Sequence, residues 1–368
     1  MKRLGLIRKN IENVVDDKKA ISYIVNDTGS SQFRYRCKNI SESIAGNKKY
    51  TVTYFSSSEN VGIYDLINDI DICVIGRQTA KNNSLIKLIK KVKDGGGKVL
   101  FDIDDLVFNY SDARMILKTV REKNIFYWLG YIWGIRRIAK RVDGFLCTND
   151  FLGKKLERSF RKPYKVIPNS LNKEQIEVSE KCLKNKKHEG FVIGYFSGSP
   201  THARDFKMVE PELIDFLNSH DDAKLRVVGY MNFSDKMKKM INTGRVEVKK
   251  PVDYLKLQEL MSEVDVNIAP LVINDFTNCK SELKFFEAAA VETITIASPT
   301  YAFKKAIEDG ENGFLAQPGE WYKKIEYLYK NPDQNRKIAK KAREYALKHY
   351  YGKEFLKEVE EAYDYFAK

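Results

Sequence analysis

The sequence has few histidines, no paired cysteines and no long apolar run, and each of these absences excludes a class of protein. Its cysteines lie singly at Cys37, Cys73, Cys147, Cys182 and Cys279. Because none of them forms a Cys-x-x-Cys pair, we expect free thiols in a reducing compartment. Only 4 of the 368 residues are histidine, and they lie far apart, so a Cys/His metal cluster is not expected. We therefore predict neither a bound metal ion nor another cofactor.

No stretch approaches the roughly 18 uninterrupted apolar residues of a membrane-spanning helix. Residues 1–9 contain too short an apolar core for a signal peptide. We therefore predict a cytoplasmic protein that can also bind peripherally to the inner face of the membrane. The net charge of +14 fits nucleic acid, an anionic membrane surface or phosphorylated ligands equally well, and it also fits a surface that is merely solvated.

Short apolar runs rich in β-branched residues alternate with amphipathic segments along the chain. They predict strands at 21–25, 50–55, 70–76, 98–103, 144–148 and 164–167, and a second series at 191–196, 225–228, 246–248, 264–268 and 294–297. Helices are predicted at 37–44, 84–93, 253–262, 282–290, 321–329, 333–350 and 353–366. This alternation is typical of α/β proteins with parallel sheets and crossover helices.

The composition changes at 173–190, where lysine and glutamate are dense, and we predict a linker there. It separates an N-terminal Rossmann-like domain over 1–172 from a C-terminal Rossmann-like domain over 191–350. A last amphipathic helix over 351–368 is expected to return to the N-terminal domain. Ligands of doubly wound sheets bind beyond the carboxyl ends of the strands, so we expect the deep site in a central cleft between the two domains.

A polar loop and a helix with one buried glutamate follow the predicted strand at 264–268. Asn278 or Ser281 could cap this helix. Lys280 and Glu287 are seven residues apart, so within a helix both would project from nearly the same face. A cation beside the free N–H groups of a helix N-terminus suits a phosphate. Glu287 lies among apolar residues and needs a hydrogen-bonding partner such as a sugar hydroxyl.

Another polar loop follows the predicted strand at 191–196. Gly198 allows a ligand to approach the backbone closely, while Thr201, His202 and Arg204 offer hydrogen-bond donors. The alternative is a plain strand-to-helix turn capped by Thr201 or Asp205. Since the other loop brings a cation to the same edge of the sheet, a diphosphate site is the better interpretation. Neither loop matches the GxxxxGK[ST] pattern of P-loop NTPases.

Two further segments each allow several interpretations. Asp102, Asp104 and Asp105 follow the predicted strand at 98–103 and could hold a divalent metal, form an acidic strand exit or serve an acceptor; we favour the acceptor role. Residues 124–141 combine two tryptophans and two tyrosines with a basic end. This composition predicts either a helix in a membrane interface or a core helix packed on the sheet.

The motifs of the second half resemble those of retaining glycosyltransferases of the GT-B fold, in particular family four. The resemblance rests on Asp-Val-Asn-Ile-Ala-Pro-Leu at 265–271, Glu-Ala-Ala-Ala at 287–290, Ala-Ser-Pro at 297–299 and the glycine-containing segment 308–316. These motifs keep the family's order and spacing, and residues 166–170 are similar to its interdomain segment. The resemblance implies an α/β fold of the GT-B type, with two Rossmann-like domains.

By this resemblance, Glu287 would bind the ribose of a nucleotide-sugar, while Lys280, Ser281 and Arg204 would bind the diphosphate. Lys280 and Arg204 would also stabilise the diphosphate as it departs, which is their catalytic role. The family often has a second carboxylate eight positions before its glutamate, but Cys279 occupies that position here. The other residues predicted to line the nucleotide-sugar pocket are Gly198, Ser199, Thr201, His202 and Asn278.

The N-terminal half is only weakly similar to the family. Residues 29–36 take the place of its first loop, so Ser31, Arg34 and Arg36 are predicted to face the acceptor. Residues 102–105 fall where other members keep an acceptor-side histidine. This position makes Asp104 and Asp105 further candidates for catalysis.

We therefore expect a hexosyl- or deoxyhexosyltransferase that moves a sugar from a nucleotide-diphosphate donor to a glycan or lipid-linked acceptor. The resemblance implies retention of configuration, no obligatory metal and no nucleic-acid partner, and it favours a role in bacterial surface polysaccharide or glycoconjugate synthesis. Two alternatives stay open. One is a metal-dependent transferase of the GT-A type that uses Asp102 and Asp104. The other is a non-enzymatic protein that binds nucleic acid or a membrane surface through its charge.

Overall fold

The structure, a computed structural model, describes residues 18–56, 70–80, 83–119, 123–184, 190–198 and 203–368. The predicted site residues Ser199, Thr201 and His202 lie outside these ranges. The strands are β1 (Lys19–Val25), β2 (Tyr50–Ser56), β3 (Ile72–Ile75), β4 (Lys98–Ile103), β5 (Gly144–Cys147), β6 (Tyr164–Val166), β7 (Phe191–Ser197), β8 (Ala223–Gly229), β9 (Val246–Lys249), β10 (Val266–Ala269), β11 (Ile294–Ala297) and β12 (Phe314–Leu315).

The α-helices of the described ranges alternate with these strands. They are α1 (Ser31–Phe33), α2 (Asn39–Ser43), α3 (Ser84–Asp94), α4 (Ala113–Thr119), α5 (Ile125–Ala139), α6 (Asp150–Phe160), α7 (Lys173–Lys184), α8 (Ala203–Ser219), α9 (Asp235–Asn242), α10 (Tyr254–Ser262), α11 (Asp275–Asn278), α12 (Leu283–Ala290), α13 (Tyr301–Ala306), α14 (Trp321–Lys330), α15 (Pro332–Tyr350) and α16 (Lys353–Phe366). A π-helical turn, Arg34–Lys38, joins α1 to α2. None of the helices in the described ranges is long and apolar enough to cross a membrane.

The strands form two parallel sheets of six strands each, which confirms the predicted α/β fold. The first sheet has the order β2-β1-β3-β4-β5-β6 and the second the order β12-β11-β10-β7-β8-β9. Contacts divide the chain into two compact units. The first unit holds the described residues up to Ser170 together with Lys353–Lys368, and the second unit holds Leu171–Gly352.

The last helix, α16, packs in the core of the first unit, so the predicted return to the N-terminal domain is confirmed. Phe355, Tyr363 and Phe366 are buried in one cluster with residues of β1. The hydroxyl groups of Tyr363 and Tyr23 share a buried hydrogen bond. Gly144 on β5 makes room for the helix, because a Cβ atom at this position would lie 2.2 Å from the ring of Phe366.

The second sheet reverses its strand order between β7 and β10. These two strands pair in parallel, with Ile193 opposite Val266 and Gly194 opposite Asn267. β8 and β9 continue on one side of β7, while β11 and β12 continue on the other side of β10. Connections therefore leave the two central strands in opposite directions and open a crevice at their carboxyl ends.

The segment 173–190, predicted as a linker, is helical over much of its length. α7 buries Gln175 and Ser179, while its lysines and glutamates are exposed. The dense charge therefore marks the solvent face of an amphipathic helix, which packs within the second unit. The short edge strand β12 was also missed, because its two residues are too few to produce a sequence pattern.

The buried hydroxyl pair that holds α16 provides a test of this fold. Tyr363→Phe leaves the hydroxyl of Tyr23 buried without this partner, and we expect it to lower the free energy of unfolding by about 1–3 kcal/mol. The measurement is urea denaturation followed by fluorescence. The control is Tyr365→Phe on the same helix, where the hydroxyl belongs to a side chain that is 45% exposed. Equal midpoints for the two variants would show that the pair contributes nothing to the packing of α16.

Candidate active site

The crevice at the carboxyl ends of β7 and β10 is where the predicted nucleotide residues gather. Gly198 directly follows β7 and is exposed, and a Cβ atom there would meet no described atom within 4 Å. α8 begins five residues after Gly198, beyond the segment outside the described ranges, and Arg204 is exposed in its first turn. Residues 270–282 follow β10 and lead into α12. The topology thus brings Gly198 and Arg204 to the sheet edge that carries Lys280.

The loop after β10 is fixed by hydrogen bonds from its backbone to two neighbouring strand exits. The amide of Leu271 donates to Oγ of Ser298 at 2.9 Å, just beyond β11. The amide of Val272 donates to Oδ1 of Asp205 at 2.9 Å, in the first turn of α8. These bonds tie the exits of three strands together, so the pocket wall has a defined course before any ligand binds.

Asn278 and Cys279 end the short helix α11. Oδ1 of Asn278 accepts a hydrogen bond from the amide of Tyr301 at 2.9 Å. Tyr301 is the first residue of α13, so Asn278 caps α13. The prediction that Asn278 caps the next helix in the sequence, α12, is therefore wrong. Cys279 is completely buried, and it provides no carboxylate at the position where the family often has one. The predicted nucleotide contact of Asn278 stays a prediction.

Lys280 lies in the turn between α11 and α12, with Nζ 4.8 Å from the centroid of the Phe276 ring. Ser281 is half-buried in the same turn and does not cap α12, whose N-cap position is Glu282. Because α12 begins at Leu283, the helical spacing argued for Lys280 and Glu287 does not apply. Lys280 is instead placed ahead of the first amides of α12.

The residue that shares a helical face with Glu287 is Lys284, one turn earlier on α12, and the sequence analysis missed it. Asn267 on β10 holds this part of the helix, since its Nδ2 donates to the carbonyl of Lys284 at 2.9 Å. The Nζ atom of Lys284 is buried and has no hydrogen-bond partner within the described part of the chain. It lies 4.8 Å from the centroid of the Tyr195 ring. The signal for this residue was the spacing of three between a lysine and a glutamate.

The electrostatics of Lys284 follow from this position. Burial lowers its pKa to about 8, and the charge of Lys280 also lowers the pKa, while Asp205 and Glu287 oppose the shift. A buried ammonium group that lacks an acceptor is costly. An anion placed beside Lys284 and Lys280 would remove this cost and would itself be bound tightly.

Glu287 is 3% exposed and is held from two sides. Its Oε1 accepts a hydrogen bond from Nε2 of Gln175 at 3.3 Å, and its backbone carbonyl accepts one from Nε2 of Gln258 at 2.6 Å. Gln175 was missed because it lies in the segment predicted as a linker. A carboxylate has about four acceptor positions, so Glu287 can also accept from the hydroxyls of a ligand.

In the first unit, Arg36 and Asp102 form a buried ion pair. Nε and Nη2 of Arg36 donate to the two carboxylate oxygens of Asp102, at 2.9 and 3.1 Å. Nη1 of Arg36 also donates to the carbonyl of Ile167 and to Oδ1 of Asn169. Arg36 is only 3% exposed, which leaves almost no surface for the predicted acceptor contact. Its role is to fix Asp102 and the chain that follows β6.

A second group of charges, which we call the acceptor-side cluster, consists of Arg77, Asp104, Asp105 and Tyr131. Arg77 is the second residue after β3 and was not predicted. Nε of Arg77 donates to Asp104, and Nη1 of Arg77 donates to the hydroxyl of Tyr131 at 3.1 Å. Nη2 of Arg77 lies 3.4 Å from Oδ2 of Asp105. The carboxylates of Asp104 and Asp105 stay 19% and 24% exposed, so they remain accessible to a ligand.

The remaining acceptor-side predictions, Ser31 and Arg34, lie in the segment that leads from β1 into the next helices. Ser31 is exposed in α1, and Arg34 is half-buried, with Nη2 donating to the hydroxyl of Tyr35 at 2.7 Å. β1 and β3 are neighbours in the first sheet. Both residues therefore lie at the sheet edge that carries the acceptor-side cluster, and their contact with an acceptor stays a prediction.

The metal-binding interpretation of Asp102 and Asp104 fails on these contacts. Both oxygens of Asp102 are taken by Arg36, and Asp104 is paired with Arg77. The side chain of Asp102 is also only 1% exposed. The two carboxylates therefore cannot act together as open ligands for a metal ion.

The chain shares its architecture with known sugar-transferring proteins. Residues 207–361 match a family model described as glycosyl transferase-like. No curated protein matches the sequence. Among solved structures, a glycosyltransferase from Rickettsia africae has a TM-score of 0.64 at 15% identity, and HepE from Anabaena in complex with UDP has 0.61 at 13%. Sucrose-phosphate synthase from Thermosynechococcus elongatus also has 0.61 at 13%; each comparison covers 95% of this chain and 99% of the other.

At such low identities these structures establish the fold, and the family match over 207–361 shows a similarity of the second unit to glycosyl transferase-like proteins. The GT-A alternative is wrong because both sheets have the GT-B arrangement. The match over 207–361 favours the transferase interpretation over the non-enzymatic alternative. The chain therefore has the GT-B fold, and its residues 207–361 are similar to the glycosyl transferase-like family.

Proposed function

We propose that this glycosyltransferase moves a sugar from a nucleoside-diphosphate donor to a glycan or lipid-linked acceptor, with retention of configuration. The observation that carries the proposal is the buried ammonium group of Lys284, which has no hydrogen-bond acceptor among the described residues and lies one helical turn from Glu287. HepE has been solved in complex with UDP, so uridine diphosphate is the nucleotide that we assign to the donor. The product would serve bacterial surface polysaccharide or glycoconjugate synthesis.

The proposed donor position follows from the arrangement of charges on α12. The diphosphate lies against Lys284 and Lys280, near the first amides of the helix, with Arg204 adding charge from α8. Glu287 lies three residues further along, which is about 4.5 Å along the helix axis. That distance suits a ribose joined to its first phosphate by one ester link. The ribose hydroxyls would donate to the carboxylate of Glu287, which has about four acceptor positions.

Transfer begins as the bond between the sugar's anomeric carbon and the phosphate oxygen breaks. Negative charge then grows on the diphosphate, and Lys284 stabilises it strongly because its ammonium group is shielded from water. The acceptor hydroxyl attacks from the side of the departing phosphate and gives its proton to that phosphate, so configuration is retained. Lys280 and Arg204 supply further positive charge, which is why we propose that no metal ion is obligatory.

The acceptor-side cluster suits a neutral, hydroxyl-rich acceptor. Asp104 and Asp105 can accept hydrogen bonds from sugar hydroxyls, and Arg77 holds both carboxylates in place. Two carboxylates against one guanidinium would repel a phosphate at this position. We propose that the enzyme is cytoplasmic and that residues 124–141 bring it to the inner face of the membrane, where lipid-linked acceptors lie.

The nucleotide assignment is tested by separating phosphate binding from ribose binding. Lys280→Ala should weaken binding of UDP about tenfold or more, the usual loss for one charge-assisted hydrogen bond, and leave uridine unaffected. Glu287→Gln should weaken UDP and uridine alike. Affinities are measured by competition against a fluorescent UDP analogue.

The matched control is Lys337→Ala, an exposed lysine on α15, which should change neither affinity. The residue roles would be contradicted if Lys280→Ala weakened uridine as much as UDP. The whole assignment would fall if none of UDP, GDP, dTDP and ADP raised the thermal stability of the wild-type chain, since a ligand of the folded state must do so.

The pKa of Lys284 predicts how UDP affinity depends on pH. In the free protein this pKa is lowered to about 8, so the ammonium form that binds diphosphate is lost as pH rises through this value. UDP affinity should be constant near neutral pH and fall about tenfold per pH unit above pH 8. Titration calorimetry in buffers of different ionisation enthalpy should detect proton uptake, because the bound diphosphate raises the pKa of Lys284 again.

Lys284→Met keeps the buried stem of the side chain and removes the charge. It should bind UDP more weakly at neutral pH and show a flat affinity profile across the same range. A wild-type profile without a step near this pH, or the same step in Lys284→Met, would assign the titration to another group.

Metal removal tests the proposed mechanism. We expect the rate of UDP release from UDP-sugars to be unchanged in excess EDTA, because lysine and arginine charges stabilise the leaving group. The matched sample contains EDTA with excess Mg²⁺. A rate that is lost in EDTA and restored by Mg²⁺ would contradict the mechanism while leaving the donor assignment intact.

A further inference from the structure

The two sides of helix α5 are surrounded very differently. Its inner side is buried in the first unit through Trp128, Ile132, Ile135 and Ile138. On the opposite side, Phe126, Leu129 and Trp133 are exposed by 79%, 36% and 52%. We call these three residues the outer face. Spacings of three and four residues place them in one stripe along the helix. Large apolar side chains grouped in this way on a surface mark a site of interaction.

The charged residues of helix α5 and its two ends are all positive. Residues 123–142 contain five lysines and arginines and no aspartate or glutamate. Lys123 lies at the start, with Nζ 5.7 Å from the ring centroid of Tyr127. The guanidinium carbon of Arg137 lies 4.8 Å from the ring centroid of Trp133, and Lys140 is exposed at the end of the helix. A partner of this face must therefore offer apolar surface bordered by negative charge.

We propose that the outer face of α5 docks on a membrane surface that is rich in anionic lipids. Tryptophan and phenylalanine bury well at the boundary between headgroups and acyl chains, and lysine and arginine beside them pair with lipid phosphates. A second copy of this chain is a poorer partner. It would bring two chains of net charge +14 together, with the same cations facing each other.

The outer face has a fixed position relative to the acceptor-side cluster. Tyr131, on the inner side of α5, accepts the hydrogen bond from Arg77 at 3.1 Å. One turn later, the carbonyl of Gly134 accepts from the amide of Ala80 at 3.3 Å, and a Cβ at Gly134 would lie 2.7 Å from Cβ of Thr79. The helix is thus locked to the segment that follows β3. Docking would set that sheet edge at a fixed position relative to the membrane.

This geometry deepens the proposed function by choosing between its two acceptor classes. An acceptor that reaches Asp104 and Asp105 while the outer face is docked must be anchored close to the bilayer. The structure therefore points to a lipid-linked acceptor, an inference that rests on the proposed transfer reaction.

Vesicle binding of the full chain tests the docking. We expect co-sedimentation with vesicles of phosphatidylcholine and phosphatidylglycerol, and little with phosphatidylcholine alone. Phe126→Ser combined with Trp133→Ser should reduce binding at least tenfold, and Lys123→Glu should reduce it for the anionic vesicles. Of the three tryptophans, Trp128 and Trp321 are 9% and 0% exposed, so a blue shift of fluorescence on vesicle addition should come from Trp133 and vanish in Trp133→Phe.

The matched control is Tyr327→Ser, which removes an aromatic ring that is 42% exposed in the second unit and should leave vesicle binding unchanged. Unchanged binding of the Phe126→Ser/Trp133→Ser variant would overturn the proposal. A wild-type dimer that this variant dissociates would also overturn it, in favour of a second copy. UDP affinity, measured without vesicles, should be equal in wild type and variant. Vesicle binding without UDP binding would contradict the proposed function, and UDP binding without vesicle binding would contradict only the docking.

Discussion

The parallel pairing of β7 with β10 is the constraint on which the candidate donor site depends. These strands are neighbours in the sheet although five helices and strands separate them in the chain. Gly194 lies opposite Asn267, and a Cβ at this position would lie 2.7 Å from Cε2 of Phe196 and 2.9 Å from Cγ2 of Val264, so the side chains packed beside the pair leave room only for glycine. Once the pair forms, whatever follows each strand must enter the same crevice. Gly198 and Lys280 therefore lie at the same crevice because of the strand order, whether or not a ligand is bound.

The same constraint explains why an ammonium group can remain buried without an acceptor. Two carboxylates influence the charge of Lys284, but each already has a structural partner. Asp205 accepts from the amide of Val272 and fixes the loop after β10, while Glu287 accepts from Gln175. Neither is positioned to neutralise Lys284, whose pKa falls as a result of burial. The core around Asn267 and Tyr195 holds the side chain in this unfavourable state, and a diphosphate would relieve it. A buried ammonium group of this kind would favour binding of a diphosphate over water.

The strands could be predicted from sequence because buried parallel strands are continuous apolar runs, and β4 and β11 were predicted at their observed bounds. The site was predicted less completely, because its pairs join residues from different strands. Arg77 contacts Asp104 from the end of a neighbouring strand, and no pattern of adjacent residues in the sequence predicts that contact. Gln175 was not predicted as a site residue because the many charged residues of α7 indicated a linker. The spacing of three residues between Lys284 and Glu287 is present in the sequence. The predicted pairing used Lys280 instead, which lies before the helix begins.

Helix α5 shows why composition alone left two interpretations of 124–141 open. A core helix and a membrane-facing helix share the same average hydropathy, and only the packing separates one face from the other. Here the inner face lies in the core and the outer face is exposed, so the membrane docking that we propose uses the side of the helix opposite to the core. The arrangement also bears on the open character of the acceptor-side cluster. In the docking that we propose, the enzyme would meet a lipid-linked acceptor at high local concentration, so its acceptor pocket would not need to bind tightly. Partly exposed carboxylates at this sheet edge would then be sufficient to orient one hydroxyl.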